Sequence, residues 1–123
     1  NARAICDHPR NLTDDMIKKM ASRGCIAGLN FYPEFLSRDF TNRERKAYID
    51  DVIVMLKYMV DIGGSEFVAI GSDYDGFSDS LEWKDASGTE SLIDAMEREG
   101  FSQSLIENIT YKNALRIIKE VVK

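Results

Sequence analysis

The chain has 123 residues, of which 44% are hydrophobic and 30% are charged, and its formal net charge is −5. The hydrophobic content excludes a disordered chain, and no uncharged apolar run reaches the roughly 18 residues that a membrane-spanning helix needs. The acidic balance argues against a nucleic-acid-binding protein, which would carry a basic face. One His and two Cys are too few for a closed zinc site of nitrogen and sulfur ligands within this chain.

Helix and strand signals alternate along the chain. In order, they predict a helix after Thr13, a strand at 25–31, a loop at 32–40, a helix at 43–62, a strand at 67–70, a loop at 72–88, a helix after Ser87, a short helix after Ser102 and a helix at 110–122. Capping boxes of the S/T-x-x-E type occur at 41–44 and 87–90 and predict where two of these helices begin. Glycines at positions 24, 63, 64 and 100 predict helix ends.

The two predicted strands indicate the fold class. Both are apolar on each face and are separated by a helix, which is typical of parallel strands joined by right-handed crossovers. Two strands do not make a self-sufficient parallel sheet, because both edges would stay open. The sequence therefore predicts part of an α/β domain, most simply a barrel with flanking helices whose other strands precede this segment.

The cysteine and methionine side chains are expected to pack in the protein interior. Cys6 and Cys25 lie outside any metal-knuckle spacing, and we expect free thiols rather than a disulfide. Free thiols and the lack of a signal peptide favour a cytoplasmic location. The methionines in predicted helices are expected in the core; they are Met16, Met20, Met55, Met59 and Met96.

The strongest chemical signal follows the second predicted strand. Residues 71–76 read Gly-Ser-Asp-Tyr-Asp-Gly, and in α/β folds reactive side chains lie just after the carboxyl ends of strands. Asp73 there could act as a general base or bind a metal, and a plain polar turn is the structural alternative. A phosphatase-like D-x-D-G nucleophile is a second functional reading, and a non-catalytic α/β interaction module is a third.

Three further side chains are predicted to lie at the same rim. Arg10, in a loop before the first helix, could bind a substrate carboxylate with two hydrogen bonds. Asn30 and Tyr32 flank the end of the first strand. His8, the only histidine, is expected to pack or to be exposed rather than to bind a metal.

Together these segments resemble the membrane (renal) dipeptidase family of zinc peptidases. The matching pieces, in order, are Asn1–Ala4, His8–Leu12, Asn30–Tyr32, Gly71–Gly76, Glu107, Asn108, Asn113, Leu115 and Arg116. The resemblance extends over essentially all of residues 1–123. It implies a (β/α)₈ TIM-like barrel that hydrolyses dipeptides at a binuclear zinc centre.

The resemblance also implies a role for each rim residue. Arg10 matches the arginine that binds the terminal carboxylate of the substrate. Asp73 matches the acidic residue that contacts the substrate amine and acts as general acid and base. Asn30 and Tyr32 match rim residues near the substrate, whereas Asp75 resembles a residue of the loop architecture.

The family's metal ligands have no counterpart in residues 1–123. We therefore expect an incomplete domain, the C-terminal part of a dipeptidase barrel, which carries the substrate-binding groups and no metal ligand of its own. The two zinc ions and the dipeptide substrate are expected only for the full-length parent. The isolated chain is expected to be inactive and to self-associate, or to pair with the missing part of the barrel.

Overall fold

A computed structural model of the protein describes residues 1–37, 46–77 and 80–122. The elements, in chain order, are α1 (Asp14–Ala21), β1 (Ala27–Asn30), α2 (Pro33–Leu36), β2 (Lys46–Ala47), α3 (Ile49–Gly63), β3 (Val68–Ser72), β4 (Ser80–Leu81), a 3₁₀ turn (Ala86–Gly88), α4 (Thr89–Arg98), α5 (Gln103–Glu107), a π-helical turn (Asn108–Lys112) and α6 (Asn113–Val121).

Local capping signals account for most helix ends. The Thr13 hydroxyl accepts a hydrogen bond from the backbone N–H of Met16 at 3.3 Å, and α1 is followed by Gly24 in the left-handed region with φ of 72°. Gly64 and Gly100, with φ of 85° and 83°, likewise follow α3 and α4. The Ser102 hydroxyl caps α5 by accepting from the N–H of Leu105 at 3.2 Å. These predicted boundaries are confirmed.

The predicted start of the long helix at residue 43 is wrong, because α3 begins at Ile49. Residues 46 and 47 instead form β2, which pairs with β4 within the stretch predicted as a loop at 72–88. The backbone N–H of Tyr48 donates to the Asp51 carboxylate at 3.1 Å and so caps α3. The capping box predicted at 41–44 lies outside the described residues.

Two further boundaries differ from prediction. Asp85, rather than Ser87, caps the helical segment before α4: its carboxylate accepts the N–H of Ser87 at 2.9 Å and begins the 3₁₀ turn. The predicted helix at 110–122 joins the preceding short helix through the π-helical turn, so helical backbone runs without a break from α5 into α6. The stretch predicted as a loop at 32–40 contains the short helix α2.

The sheet that positions the rim consists of β1 and β3, which pair in parallel with Ala27 opposite Val68 and Asn30 opposite Ser72. A second parallel pair is formed by β2 and β4. Helix α3 connects the two strand pairs along the chain and packs against α1, α4 and β3. The predicted fold class, α/β with parallel strands and flanking helices, is confirmed.

The core lies between the β1–β3 pair and the helices that pack on it. Its largest fully buried side chains are Ile17, Leu29, Phe31, Leu36, Val52, Met55, Leu56, Met59, Phe67, Val68, Met96 and Ile109. Met16 is the exception to the prediction that the helical methionines are core residues, because it is 50% exposed on the outer face of α1. Cys6 and Cys25 are free thiols, as predicted. Across the described parts of the chain, no helix has the length and apolarity needed to cross a membrane.

Candidate active site

The site is built on an irregularity at the carboxyl end of β3. The parallel register slips by one residue between Leu29 and Asn30, so that Gly71 is the extra residue and Ser72 lies opposite Asn30. Gly71 fits there because the strands approach closely: an added Cβ would lie 2.8 Å from the carbonyl carbon of Gly28. Beyond the slip, Ser72 and Asp73 adopt φ values of 45° and 75°. This left-handed pair turns the chain away from the sheet.

The turn brings Asp73 next to Asn30. The Asn30 side-chain amide donates to Oδ2 of Asp73 at 2.8 Å, and its Oδ1 accepts the backbone N–H of Tyr32 at 2.8 Å. Asn30 therefore uses both ends of its amide to align the carboxylate and the start of the following loop. Both side chains remain accessible to solvent, and the carboxylate can accept further hydrogen bonds.

The Asp73 carboxylate occupies space beside Gly76 that is free because glycine has no side chain. Its backbone N–H donates to the Asp73 carbonyl oxygen at 2.9 Å, which closes the turn. A Cβ at this position would lie 2.2 Å from Oδ1 of Asp73. The glycine is therefore required by the position of the carboxylate, and no side chain fits unless the carboxylate moves.

Asn1 holds Asn30 from the other side, a role that sequence reasoning missed. Its side chain accepts the backbone N–H of Asn30 and donates to the Asn30 carbonyl, both at 2.8 Å, and it donates to the Phe35 carbonyl at 3.0 Å. Asn11, which is 3% exposed, donates to the same Phe35 carbonyl at 3.0 Å. The signal that the sequence offered was the polar residue Asn1 in a segment that matches the dipeptidase family. Its partner Asn30 lies 29 positions along the chain, and this pairing could not be read from the sequence.

Arg10 lies on the ring of Phe35. The guanidinium carbon is 5.0 Å from the ring centroid, and the side chain is exposed. His8 packs against the same ring, at 4.7 Å between centroids, and its Nδ1 accepts the backbone N–H of Arg10 at 3.2 Å. As predicted, His8 packs, and it shapes the loop that carries Arg10.

A row of aromatic rings connects the Arg10 loop with the Asp73 turn. Phe35 contacts Tyr32 at 4.9 Å between centroids, and Tyr32 contacts Phe77 at 5.3 Å. Arg10, Asn30, Tyr32 and Asp73 thus lie along one continuous set of contacts. The structure brings together Asn30 and Asp73 directly, whereas Arg10 reaches them through Phe35 and Tyr32.

Cys6 lies beneath this loop and is 1% exposed. Its thiol donates to the carbonyl oxygens of Glu34 and Ser37 at 3.1 and 3.3 Å. Burial, followed by the negative charges of Asp7, Asp51 and Glu34, raises the pKa of the Cys6 thiol. Cys6 therefore stays protonated and acts as a packing residue.

A metal centre does not fit the side chains at this rim. Within residues 1–37, 46–77 and 80–122, no three His, Cys, Asp or Glu side chains come together in a group that could hold a metal ion. The carboxylate of Asp73 is bonded to an amide, and His8 is turned to its own loop and to Phe35. A binuclear centre requires more donors than this part of the chain brings together.

Asn113 and Arg116, which match the dipeptidase family near the C-terminus, lie at the end of the sheet opposite Asp73. Asn113, which is 3% exposed, donates to the carbonyls of Ser65 and Val68 at 3.0 and 2.8 Å. The guanidinium of Arg116 donates to the carbonyls of Gly24 and Glu66 at 2.9 and 3.1 Å. These bonds attach α6 to the loops that precede β1 and β3, so these side chains stabilise the fold rather than line the rim.

Comparison with known proteins agrees with this architecture. The sequence profile of the membrane dipeptidase family, peptidase family M19, matches residues 1–123. The chain belongs to this family. An uncharacterised protein of Klebsiella pneumoniae is 33% identical over 121 residues, which cover 98% of this chain and 44% of that protein. An uncharacterised dipeptidase of Schizosaccharomyces pombe is 30% identical over 122 residues, which cover 98% of this chain and 29% of that protein.

Solved structures of M19 peptidases have the same fold over the matched part. The dipeptidase AC, a metallopeptidase of this family, superimposes with a TM-score of 0.88 at 28% identity, covering 97% of this chain and 35% of that chain. A metallopeptidase from Rhodobacter sphaeroides, bound to a phosphinate mimic of the dipeptide L-Ala-D-Ala, superimposes with the same TM-score and identity and is covered to 34%. The M19 chain thus spans less than half the length of these relatives.

Proposed function

We propose that this M19 chain supplies the substrate-orienting and proton-transfer side chains of a zinc-dependent dipeptidase whose two metal ions are bound by other parts of a longer polypeptide. The observation that carries the proposal is the 2.8 Å hydrogen bond from Asn30 to Asp73, at the carboxyl ends of adjacent parallel strands. Family membership and the dipeptide mimic bound to the Rhodobacter relative support a dipeptide as the substrate. Neither comparison favours a phosphatase or a non-catalytic module.

The exposed charges at the rim suit the two ends of a dipeptide. Arg10 has no ion-pair partner among the described residues, and the ring of Phe35 supports one face of its guanidinium, leaving the edge N–H groups available to a carboxylate. Asp73 offers a carboxylate to a substrate ammonium group. Opposite charges at the two ends of the aromatic row would orient the dipeptide along it.

Asp73 is also the group at the rim that is suited to proton transfer. Its Oδ2 is fixed by Asn30, its Oδ1 lies over Gly76, and the side chain is open to solvent. A carboxylate held in one orientation accepts a proton and returns it to the departing amine with little reorganisation. Asn30 and Tyr32 position this group and line the substrate.

We assign the metal ligands to residues outside those that the structure describes. The His, Cys, Asp and Glu side chains of the described residues form no group of three that could hold a metal ion. When bound, the ions would supply the activated water, and no side chain at this rim replaces that function. The chain on its own is therefore expected to bind dipeptides weakly and not to hydrolyse them. The share of the relatives that it covers, 28% to 44%, agrees with a partial active site.

The proposal is tested by binding and hydrolysis with the 123-residue chain itself. NMR titration with L-Ala-D-Ala should shift the signals of Arg10, Asn30 and Gly76. Arg10→Ala and Asp73→Asn should each weaken binding about tenfold, since each removes a charge-assisted hydrogen bond. Addition of zinc should give no hydrolysis.

Matched variants on the exposed face of α4 serve as controls. Arg98→Ala and Asp94→Asn make the same charge changes away from the rim and should leave binding unaltered. Equal binding by the rim variants and these controls would reject the proposed substrate site. Metal-dependent hydrolysis by the purified chain would reject the assignment of the metal ions to another part of the polypeptide.

We also propose that the isolated chain self-associates. The apolar side chains of Ile118, Val121 and Val122 are 55%, 73% and 70% exposed at the end of α6. An apolar surface of this kind is normally covered by another element or another copy. Sedimentation velocity should give a weight-average mass that rises with concentration, and a concentration-independent monomer would contradict the proposal.

A further inference from the structure

A cavity of about 430 Å³ opens beside the Asp73 turn. Its apolar walls are the side chains of Tyr74, Phe77, Leu81 and Trp83. Ligand pockets of proteins occupy roughly 300–1,000 Å³ and are lined mainly by apolar and aromatic side chains. The cavity therefore has the size of a ligand subsite, and its aromatic and aliphatic wall offers a surface on which an apolar group can pack, beside the charged residues Asp75, Lys84 and Asp85.

The aromatic wall is already ordered. The indole N–H of Trp83 donates to the Tyr74 hydroxyl oxygen at 2.7 Å, so the polar atom of the indole is satisfied within the protein. Buried Phe31 supports both rings edge-on, at centroid distances of 5.1 and 5.6 Å. Gly88 makes room for the indole, because a Cβ there would lie 2.6 Å from Trp83. An incoming apolar group would meet a preformed surface.

The cavity lies on the Asp73 side of the aromatic row. Tyr74 and Asp75 belong to the turn that carries Asp73, and Phe77 forms a wall of the cavity and also contacts Tyr32. Arg10 lies at the other end of the row, over Phe35. A dipeptide bound with its amine at Asp73 and its carboxylate toward Arg10 would have its first side chain next to this cavity.

We propose that this cavity is the subsite for the side chain of the N-terminal residue of the dipeptide and that it selects apolar side chains. This inference rests on the proposed function, because that function orients the amine toward Asp73. The charged residues at the cavity are Asp75, Lys84 and Asp85. Two carboxylates against one ammonium group leave a local excess of negative charge, which disfavours an acidic side chain.

Trp83 is the only tryptophan of the chain and reports on the cavity directly. Titration of the 123-residue chain with L-Leu-D-Ala should shift the tryptophan emission to shorter wavelength, since the leucine side chain displaces water from the indole. L-Leu-D-Ala should bind about tenfold more tightly than L-Ala-D-Ala, because part of the isobutyl group is buried. L-Ala-D-Leu, with the larger side chain at the other residue, should show no such gain.

Variants of two wall residues complete the test. Phe77→Ala and Leu81→Ala should each reduce the preference for L-Leu-D-Ala over L-Ala-D-Ala to less than threefold, and having two variants covers the failure of one to fold. Tyr111→Ala removes a half-exposed aromatic ring remote from the cavity and should keep the tenfold preference.

The outcomes separate this inference from the proposed function. If L-Ala-D-Ala binding depends on Arg10 and Asp73 but L-Leu-D-Ala binds no better, the cavity is not the subsite and the proposed function stands. If L-Leu-D-Glu binds as tightly as L-Leu-D-Ala while L-Glu-D-Ala binds more weakly than L-Ala-D-Ala, the selection is assigned to the N-terminal residue, as proposed. If no dipeptide binds, the subsite and the proposed function are both rejected.

Discussion

Gly76→Ala is expected to impair the site and to leave the fold intact. The new Cβ would lie 2.2 Å from Oδ1 and 2.9 Å from Cγ of Asp73, so the carboxylate must rotate away. Rotation breaks the 2.8 Å hydrogen bond from Asn30 to Oδ2. The backbone itself accepts alanine, because Gly76 is not among the residues with positive φ.

The two stability terms of this substitution nearly cancel. Alanine restricts the unfolded chain and stabilises the fold by about 0.4–1 kcal/mol. Loss of the exposed Asn30–Asp73 hydrogen bond costs about 0.5–1.5 kcal/mol. The free energy of unfolding should therefore change by less than about 1 kcal/mol, and Tm by less than about 5 °C. Dipeptide binding should nevertheless weaken about tenfold, as for direct removal of the carboxylate.

Gly71→Ala is the matched comparison at the other end of the same turn. Its Cβ would lie 2.8, 2.9 and 3.1 Å from the backbone C, Cα and O atoms of Gly28. Backbone in a paired strand cannot rotate away as a carboxylate does, so we expect a loss of about 2–3 kcal/mol and a Tm lower by about 10 °C.

Urea unfolding and the NMR signals of the Asn30 side-chain amide measure both effects. Gly76→Ala should move the Asn30 amide protons toward the values of a solvated amide, and Gly71→Ala should lower the unfolding midpoint. The reasoning is refuted if Gly76→Ala keeps the Asn30 amide signals and full binding, or if it destabilises the chain as much as Gly71→Ala.

Three other predictions concern the fold. Asn113→Ala removes the side-chain donor to the buried Val68 carbonyl and one of two donors to the exposed Ser65 carbonyl, and it should lower the free energy of unfolding by about 1–3 kcal/mol in urea denaturation. Asn108→Ala, which removes one exposed bond of 3.4 Å, should cost less than about 0.5 kcal/mol. Half-buried Cys25 should react with a thiol reagent well before Cys6, whose pKa is raised by burial; mass spectrometry of partly labelled protein identifies the order. The pKa of Tyr58 is raised by its hydrogen bond to a neighbouring carboxylate, so stability should be retained below about pH 10 and decline above it, less steeply in Tyr58→Phe.

Each of these has a clear contrary result. Equal destabilisation by the two asparagine variants would mean that the carbonyls are satisfied in another way. Labelling of Cys6 at the rate of Cys25 would show that the Arg10 loop opens readily. An alkaline decline of the same slope in Tyr58→Phe and in the original chain would assign that decline to other groups.

The starts of α1 and α5 were predictable because their caps are local. The Thr13 and Ser102 hydroxyls bond to N–H groups three residues away, and such contacts depend on nearby residues alone. The start of α3 was not predictable, because residues 46 and 47 pair with β4, more than thirty positions along the chain. The cap before α4 was predicted at Ser87 instead of Asp85, because Asp and Ser cap helices equally well and the sequence does not distinguish them.

The sequence by itself determined the α/β class, the order of β1 and β3, and the candidate residues Arg10, Asn30, Tyr32 and Asp73, because apolar runs and the polar residues that follow them are local patterns. Tertiary structure alone decided how those side chains are arranged. The bond between Asn30 and Asp73 joins residues 43 positions apart and depends on a register slip that no local pattern encodes. The aromatic row and the cavity arise in the same way, because rings from separate loops meet only when the parallel strands bring their carboxyl ends to one edge of the sheet.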